Sequence, residues 1–277
     1  MTLNLASALR RPNAARLPRA TKTICPIRPN EGLRMAYQRK LESLVDDLNG
    51  SLLYWLRSAY RANEPEVLAM DASPAKELQG TMRRLSRRWQ RNFDKGAPDL
   101  AAWFAQNSAD RTDAALRGVL KRAGFSVGFK MTAAANDVIQ ATTFENVSLI
   151  RSIAQQHLAK VEGIVMRSVS QGRDLKTLTD QLEEEFAITR RRAVLIARDQ
   201  TNKAHATIEK TRQTELGITE AVWCHSRGGK HPRASHVAYD GKRYNIRDGA
   251  LIDGRRIWPG TEIWCRCYSK AVLPGFD

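Results

Sequence analysis

The sequence contains no stretch approaching the roughly 20 apolar residues needed to cross a bilayer. With a mean hydropathy of −0.46, this excludes a helical membrane protein and gives no reason to expect a membrane partner. Cysteine is scarce: four residues among 277, at 25, 224, 265 and 267. That is too few and too uneven for a disulfide framework, and an intracellular protein with reduced thiols fits better. Asp and Glu are absent from Met1 to Asn30. No glycine-rich phosphate loop and no H-E-x-x-H occurs, so the usual signatures of nucleotide and metalloprotease chemistry are missing. No internal repeat is visible.

Positive charge is plentiful. Lys+Arg number 45 against 29 Asp+Glu, a net +16 with a pI near 10.1. Such a surface carries a field that favours polyanions, either nucleic acid or an acidic protein. The acid-free N-terminus holds Arg10, Arg11, Arg16, Arg19, Lys22 and Arg28 among prolines at 12, 18, 26 and 29. Residues 1–30 therefore read as a flexible basic arm. The arm shares its arginine-rich, acid-free character with organelle transit peptides, but its prolines interrupt any long amphipathic helix, and it lacks the apolar core of a secretory signal.

Apolar residues then recur at helical spacing. Leu41, Leu44, Val45, Leu48, Leu52, Leu56 and Tyr60 predict a long helix from Leu33 to about Asn63. A second helix is expected from Ser73-Pro74 to Phe93, a third from Asp99 and a fourth from Asp110 to Ala123. Arg83, Arg84, Arg87, Arg88 and Arg91 share one face of the second. That face reads either as a polyanion-binding surface or as an ordinary solvated one. After an apolar stretch at 125–131, a helix of about nine turns carries Val138 through Val169. Asp174 opens another, and a last helix runs from Thr189 to about Glu215, where Leu216-Gly217 stops it.

Beyond Gly217 the pattern becomes β-like: strands at 218–224 and 263–272, with hairpin turns at Asp240-Gly241 and Asp253-Gly254. The expected class is α+β, mainly α. Its organisation is an arm at 1–30, a helical bundle at 31–130, a long-helix region at 131–216 and a small α+β cap at 217–277.

The cap concentrates Cys224, His225, His231, His236, Cys265 and Cys267, whereas the rest of the chain has only Cys25, His157 and His205. Cys265 and Cys267 on one strand would face the same way, and with Cys224 and His236 they are candidate ligands for one zinc. The alternative is that both cysteines are small buried apolar residues of a core strand. His231 or His236 near Asp240, with Arg227, Lys230 and Arg233 to hold phosphate, is the weaker candidate for nuclease chemistry. No catalytic residue is assigned, and the expectation is a non-enzyme.

The order of motifs in the last half of the chain is distinctive. It runs Asn146-x-x-Leu149-Ile150-x-x-Ile153, then Ile196-Ala197-Arg198-Asp199-Gln200-Thr201, Gly217 and Trp223. It continues through Gly229-Lys230-His231-Pro232-Arg233-Ala234-Ser235-His236-Val237-Ala238-Tyr239-Asp240-Gly241 and ends with Pro259-Gly260-Thr261-Glu262-Ile263-Trp264-Cys265-Arg266-Cys267. From about residue 130 to the end this resembles the phage Mu F-like minor head protein family. It departs at Arg198-Asp199-Gln200, where the family commonly has Arg-Thr-Glu, and at Trp264, where the family has Asn. The structural motif is carried by Pro232, Arg233, His236, Asp240 and Gly241.

The resemblance implies a low-copy virion component in the head interior or at the portal vertex, made in the bacterial host cytoplasm. It also implies that the protein supports prohead assembly, DNA packaging or DNA delivery. Partners would be the portal, the major capsid or scaffold protein, and packaged DNA. A toxin domain following the cap, known in some relatives, is not expected, because the chain ends just past Cys267. The second reading is a zinc-dependent nucleic-acid-binding protein, or a nuclease using the His/Asp loop.

Overall fold

Asn30 starts the first helix, α1 (Glu31–Ala62). Its Oδ1 accepts the Leu33 N–H at 2.8 Å, satisfying one of the donors that a first turn leaves unpaired. The computed structural model describes residues 23–62, 74–170, 174–229 and 231–273. Three more long helices follow: α2 (Pro74–Arg122), α3 (Ala133–Ser170) and α4 (Leu175–Glu215). Thr132 caps α3 by accepting the Ala135 N–H, and Asp174 caps α4 by accepting those of Lys176 and Thr177. Ser73, Gly172 and residues 1–22 of the basic arm lie outside the described residues. Among the described residues no helix is long and apolar enough to cross a membrane.

Three helix boundaries expected from the sequence are absent. The segments expected as three helices between Ser73 and Ala123 form the single helix α2, with Pro98 inside it. A proline in mid-helix removes one N–H and crowds the carbonyl four residues earlier, here that of Asp94. The Arg151 guanidinium takes over that carbonyl at 3.3 Å and pairs with the Asp94 carboxylate at 3.1 Å, so the helix continues. The two helices expected between Asp174 and Glu215 are likewise one, α4. It ends as expected: the Gly217 and Ile218 N–H groups bond back to the Thr214 and Gln213 carbonyls, the pattern of a Schellman cap.

The chain divides into two compact units. The helical unit comprises residues 35–101 and 143–197. Its core is the α1 stripe Tyr37, Leu41, Val45, Leu48, Leu52, Leu56 and Tyr60, all buried, with Leu78, Met82, Leu85 and Phe93 of α2 and Ile150, Ile153, Leu158, Val161 and Val165 of α3. Polar groups enter that core in pairs: Tyr37 donates to Asn146 Oδ1 at 2.8 Å, Tyr60 meets the Ser168 hydroxyl, and His157 Nδ1 lies 2.9 Å from Thr189 Oγ1.

The mixed unit comprises residues up to 34, 102–142 and 198–277. Its elements are β1 (Glu220–Cys224), the short helix α5 (Ala234–Ala238), β2 (Arg243–Asn245), β3 (Ala250–Ile252), β4 (Arg255–Ile257) and β5 (Tyr268–Val272). The strands form an antiparallel sheet in the order β2-β1-β5 and a separate β3-β4 hairpin. Asp253 and Gly254 turn that hairpin with φ of 50° and 73°, the conformation an Asp-Gly turn favours. Asp240-Gly241 instead turns the chain from α5 into β2, with the Gly241 N–H bonded to the Trp223 carbonyl at 2.8 Å.

The cap is not a unit to itself. Leu116, Val119 and Leu120 of α2, Phe125, and Leu216 and Ile218 after α4 share one core with Trp223, Tyr244, Ile246, Ile257, Cys265 and Cys267. A sheet this small cannot bury its own face, so it takes helix ends as its second layer. The described end of the expected arm is also ordered. Ile24 and Ile27 are buried, Thr23 bridges to Val272, the Ile24 N–H donates to the Ala271 carbonyl at 3.0 Å, and Arg28 stacks 4.3 Å from the Tyr268 ring. Two isoleucines seated in the core outweigh the basic, proline-rich character that suggested a flexible arm there.

Candidate functional site

Three soft donors converge in the core of the mixed unit. His236 sits on α5, a single turn whose first carbonyl, that of Arg233, accepts the His236 and Val237 N–H groups. Pro232 immediately precedes this turn. The His236 ring is 3% exposed and lies edge-on to Trp223 at 5.1 Å. Its Nδ1 faces Cys265 Sγ at 3.5 Å and Cys267 Sγ at 3.7 Å. Its Nε2 is 3.3 Å from Glu262 Oε2. The nitrogen and two sulfurs lie within 4.8 Å of one another, and all three residues are buried.

The two cysteines are not on a strand, as the sequence suggested. β5 begins only at Tyr268, and residues 263–267 form a loop. Trp264 adopts φ of 59°, and the Cys265 N–H folds back to the Glu262 carbonyl at 2.9 Å; neither is compatible with extended backbone. Cys265 and Cys267 nonetheless come together, because the loop is pinned from outside. Asp199 Oδ1 on α4 accepts the Trp264 N–H at 2.6 Å, Asn202 Nδ2 donates to the Cys265 carbonyl at 3.1 Å, and Arg233 Nη2 donates to the Ile263 carbonyl at 3.0 Å. Gly260 lets the loop sit this close: a Cβ there would stand 3.0 Å from Ala206 Cβ and 3.2 Å from the Cys267 carbonyl.

Glu262 is itself held by two arginines, Arg255 Nη2 at 2.9 Å and Arg233 Nε at 3.7 Å. The contact between the sulfurs lowers the Cys265 thiol from its ordinary range, while the same contact and then burial raise that of Cys267. The buried indole N–H of Trp223 has no hydrogen-bond partner.

Cys224, the fourth candidate ligand, does not join the cluster. Half-buried at the end of β1, its sulfur contacts the Val222 carbonyl at 3.8 Å, and burial pushes its thiol up. Asp240 Oδ1 accepts the His225 N–H at 2.8 Å, and Oδ2 lies 3.7 Å from Arg227; it ties the end of β1 to the turn after α5. His231 is exposed, and His236 is engaged with Glu262 and the sulfurs. The His/Asp loop proposed for phosphodiester chemistry is therefore occupied in structural contacts at both His236 and Asp240.

Sequence reasoning missed a buried polar stripe on α4. Asp199, Thr201, His205, Glu209, Arg212 and Gln213 are all buried. The usable signal was Thr201, His205, Glu209 and Gln213 at intervals of four, bracketed by Ala197, Ala204 and Ile208. Arg212 makes a two-pronged pair with Asp113 at 2.9 and 2.8 Å and reaches Glu215 and the Lys130 carbonyl at 2.8 and 2.9 Å. Burial raises Glu209 well above the usual carboxylate range, partly offset by the Gln213 amide at 2.8 Å. Burial lowers His205 to about 4.

In the helical unit, Arg83, Arg84, Arg87, Arg88 and Arg91 are exposed on α2. Among the described residues none of the five forms an ion pair with an acidic side chain. Arg87 and Arg91 line an open groove with Gln90 and with Gln155 and Glu162 of α3.

Residues 159–269 match the family model described as phage Mu protein F like protein. An uncharacterized protein of Haemophilus influenzae is 33% identical over 135 residues, which cover 49% of this chain and 29% of that protein. The chain therefore spans less than a third of the length of this curated relative. No solved structure matches.

Proposed function

We propose, because residues 159–269 match the phage Mu protein F like family, that the chain is a minor head component of a tailed phage acting in head morphogenesis. In this reading it works beside the portal and assists prohead assembly, DNA packaging or DNA delivery. The family match carries the proposal, since the matched segment spans both the α4 polar stripe and the His236/Cys265/Cys267 loop. The exposed arginine face of α2 supports contact with packaged DNA or with an acidic surface of the portal, major capsid or scaffold protein, since guanidinium groups in a row without acidic partners suit phosphate and carboxylate alike. The mixed unit would then act as a rigid, non-catalytic module.

The test uses particles from the cell that encodes this chain, banded by density and digested for quantitative mass spectrometry. The expected result is the chain in the particle at a small fraction of the major capsid protein, cross-linked most often to the portal. Recovery only outside the particle would overturn the head assignment. Recovery in the particle with cross-links confined to capsid subunits remote from the portal would overturn the location.

A further inference from the structure

We propose that His236 Nδ1, Cys265 Sγ and Cys267 Sγ bind one thiophilic divalent cation of the zinc class, with Glu262 behind the imidazole and Cys224 taking no part. The site rests on the geometry of the mixed unit and stands or falls independently of the role in the phage head.

The first argument is hydrogen-bond accounting. Glu262 lies 3.3 Å from His236 Nε2, so the imidazole proton belongs on that nitrogen and Nδ1 presents its lone pair to the sulfurs. One lone pair accepts one S–H, yet two sulfurs face it, at 3.5 and 3.7 Å. Two buried soft donors thus converge on a single nitrogen lone pair, the arrangement that a shared cation suits. A cation placed between the three satisfies all of them.

The second argument is size. Metal–sulfur bonds of about 2.3 Å and metal–nitrogen bonds of about 2.0 Å at a tetrahedral angle put nitrogen and sulfur roughly 3.5 Å apart. The observed separations of 3.5 and 3.7 Å already match those edges, so binding needs little rearrangement.

The third argument concerns the surroundings. A carboxylate hydrogen-bonded to the far nitrogen of a ligating histidine fixes its ring and raises its basicity, and Glu262 is held in that place by Arg233 and Arg255. On the other side stands the unpartnered Trp223 indole N–H, a donor suited to a ligating thiolate. Two sulfurs and one imidazole select zinc, cobalt(II) or copper(I) over calcium or magnesium. Binding releases the thiol protons to solvent, so affinity rises with pH. Three protein donors leave one tetrahedral position for a ligand from outside the cluster.

The experiment is a titration of the chelator-washed, reduced full chain with cobalt(II) alone. Expected are sulfur-to-cobalt charge-transfer absorption and visible ligand-field bands of a four-coordinate ion, saturating at a single equivalent and erased by zinc. Cys265→Ser, Cys267→Ser and His236→Gln should each abolish the thiolate-rich spectrum, and Cys224→Ser should leave it intact. Glu262→Gln should weaken binding about 10- to 100-fold while keeping the spectrum.

Should the ligand variants fail to fold, the wild type decides: a stoichiometric ion should protect two thiols from alkylation while Cys25 and Cys224 react as before. Absence of thiolate bands at micromolar cobalt, or bands lost with Cys224→Ser, would overturn the proposal. So would alkylation that metal leaves unchanged.

Discussion

The carboxylate of Asp199, in the middle of α4, accepts the backbone N–H of Trp264 at 2.6 Å. Through this bond a long helix fixes the loop that brings Cys265 and Cys267 to His236. Asp199 is almost buried and also pairs with Lys203 at 2.9 Å. Asp199→Ala should therefore lower unfolding stability by about 1.5–3 kcal/mol, the range for a hydrogen bond to a charged group, whereas Asp199→Asn, which keeps an acceptor, should lose less. Equal urea midpoints for wild type and Asp199→Ala would contradict this.

Trp264 occupies a left-handed backbone conformation at φ of 59°, with its indole 60% exposed. A bulky residue is strained there, whereas Asn tolerates it. Asn is also the residue found at this point in the family pattern described above. Trp264→Asn should stabilise the mixed unit by about 1 kcal/mol, read as a raised denaturation midpoint. A lowered midpoint would mean that the indole's packing outweighs the strain.

Arg212 is 3% exposed and neutralises Asp113 and Glu215 together. Arg212→Met should cost about 3–5 kcal/mol, because it strands two partly buried carboxylates. Adding Asp113→Asn to that variant should recover part of the loss. Strict additivity of the two changes in a denaturation cycle would show that the residues do not act as a pair.

Stability should fall as pH drops below about 6.5. His157 and His205 are each lowered to about 4 by burial. Between about 6.5 and 4 the unfolded chain takes up protons that the folded chain refuses, and stability falls as pH drops. Glu209 is raised by burial, so its contribution is complete below the ordinary carboxylate range and is lost as pH rises through the folded value. Across the window from 6.5 down to about 4 each histidine costs up to about 1.4 kcal/mol per pH unit, and Glu209 acts with the opposite sign. Glu209→Gln should flatten the alkaline side in urea titrations run from pH 5 to 8. An unchanged profile would place the effect elsewhere.

The arginine face of α2 predicts salt-sensitive polyanion binding. Replacing Arg87, Arg88 and Arg91 with Ala should weaken binding to duplex DNA of any sequence. For every guanidinium that no longer meets a phosphate, the slope of log affinity against log salt should shrink by about 0.9. Fluorescence anisotropy across a salt series reads both quantities. Unaltered affinity and slope would reassign this face to solvent or to an acidic protein.

The α1 stripe, the α4 stop at Gly217 and the Asp253-Gly254 hairpin were legible in the sequence because each depends on local spacing or turn chemistry. Continuity through Pro98 was not, since the group that makes it tolerable, Arg151, lies on another helix. His236, Cys265 and Cys267 could be singled out by residue type, but the expected strand geometry was wrong. Their convergence depends on Asp199, Asn202 and Arg233, residues that periodicity alone does not connect to a cysteine. The buried stripe Thr201, His205, Glu209 and Gln213 was passed over because polar residues at helical spacing ordinarily mark a solvated face.

Long helices joined through leucines and alanines face a degeneracy of alignment. Sliding one past another by a turn of about 5.4 Å replaces one apolar packing with another much like it. The carbonyl that Pro98 strands at Asp94 exists at one height on α2 only, and the Arg151 guanidinium that answers it exists at one height on α3. Any other alignment leaves an acceptor and a cation apart. A residue that weakens its own helix thus serves as an index mark, giving two otherwise slippery rods a single correct setting.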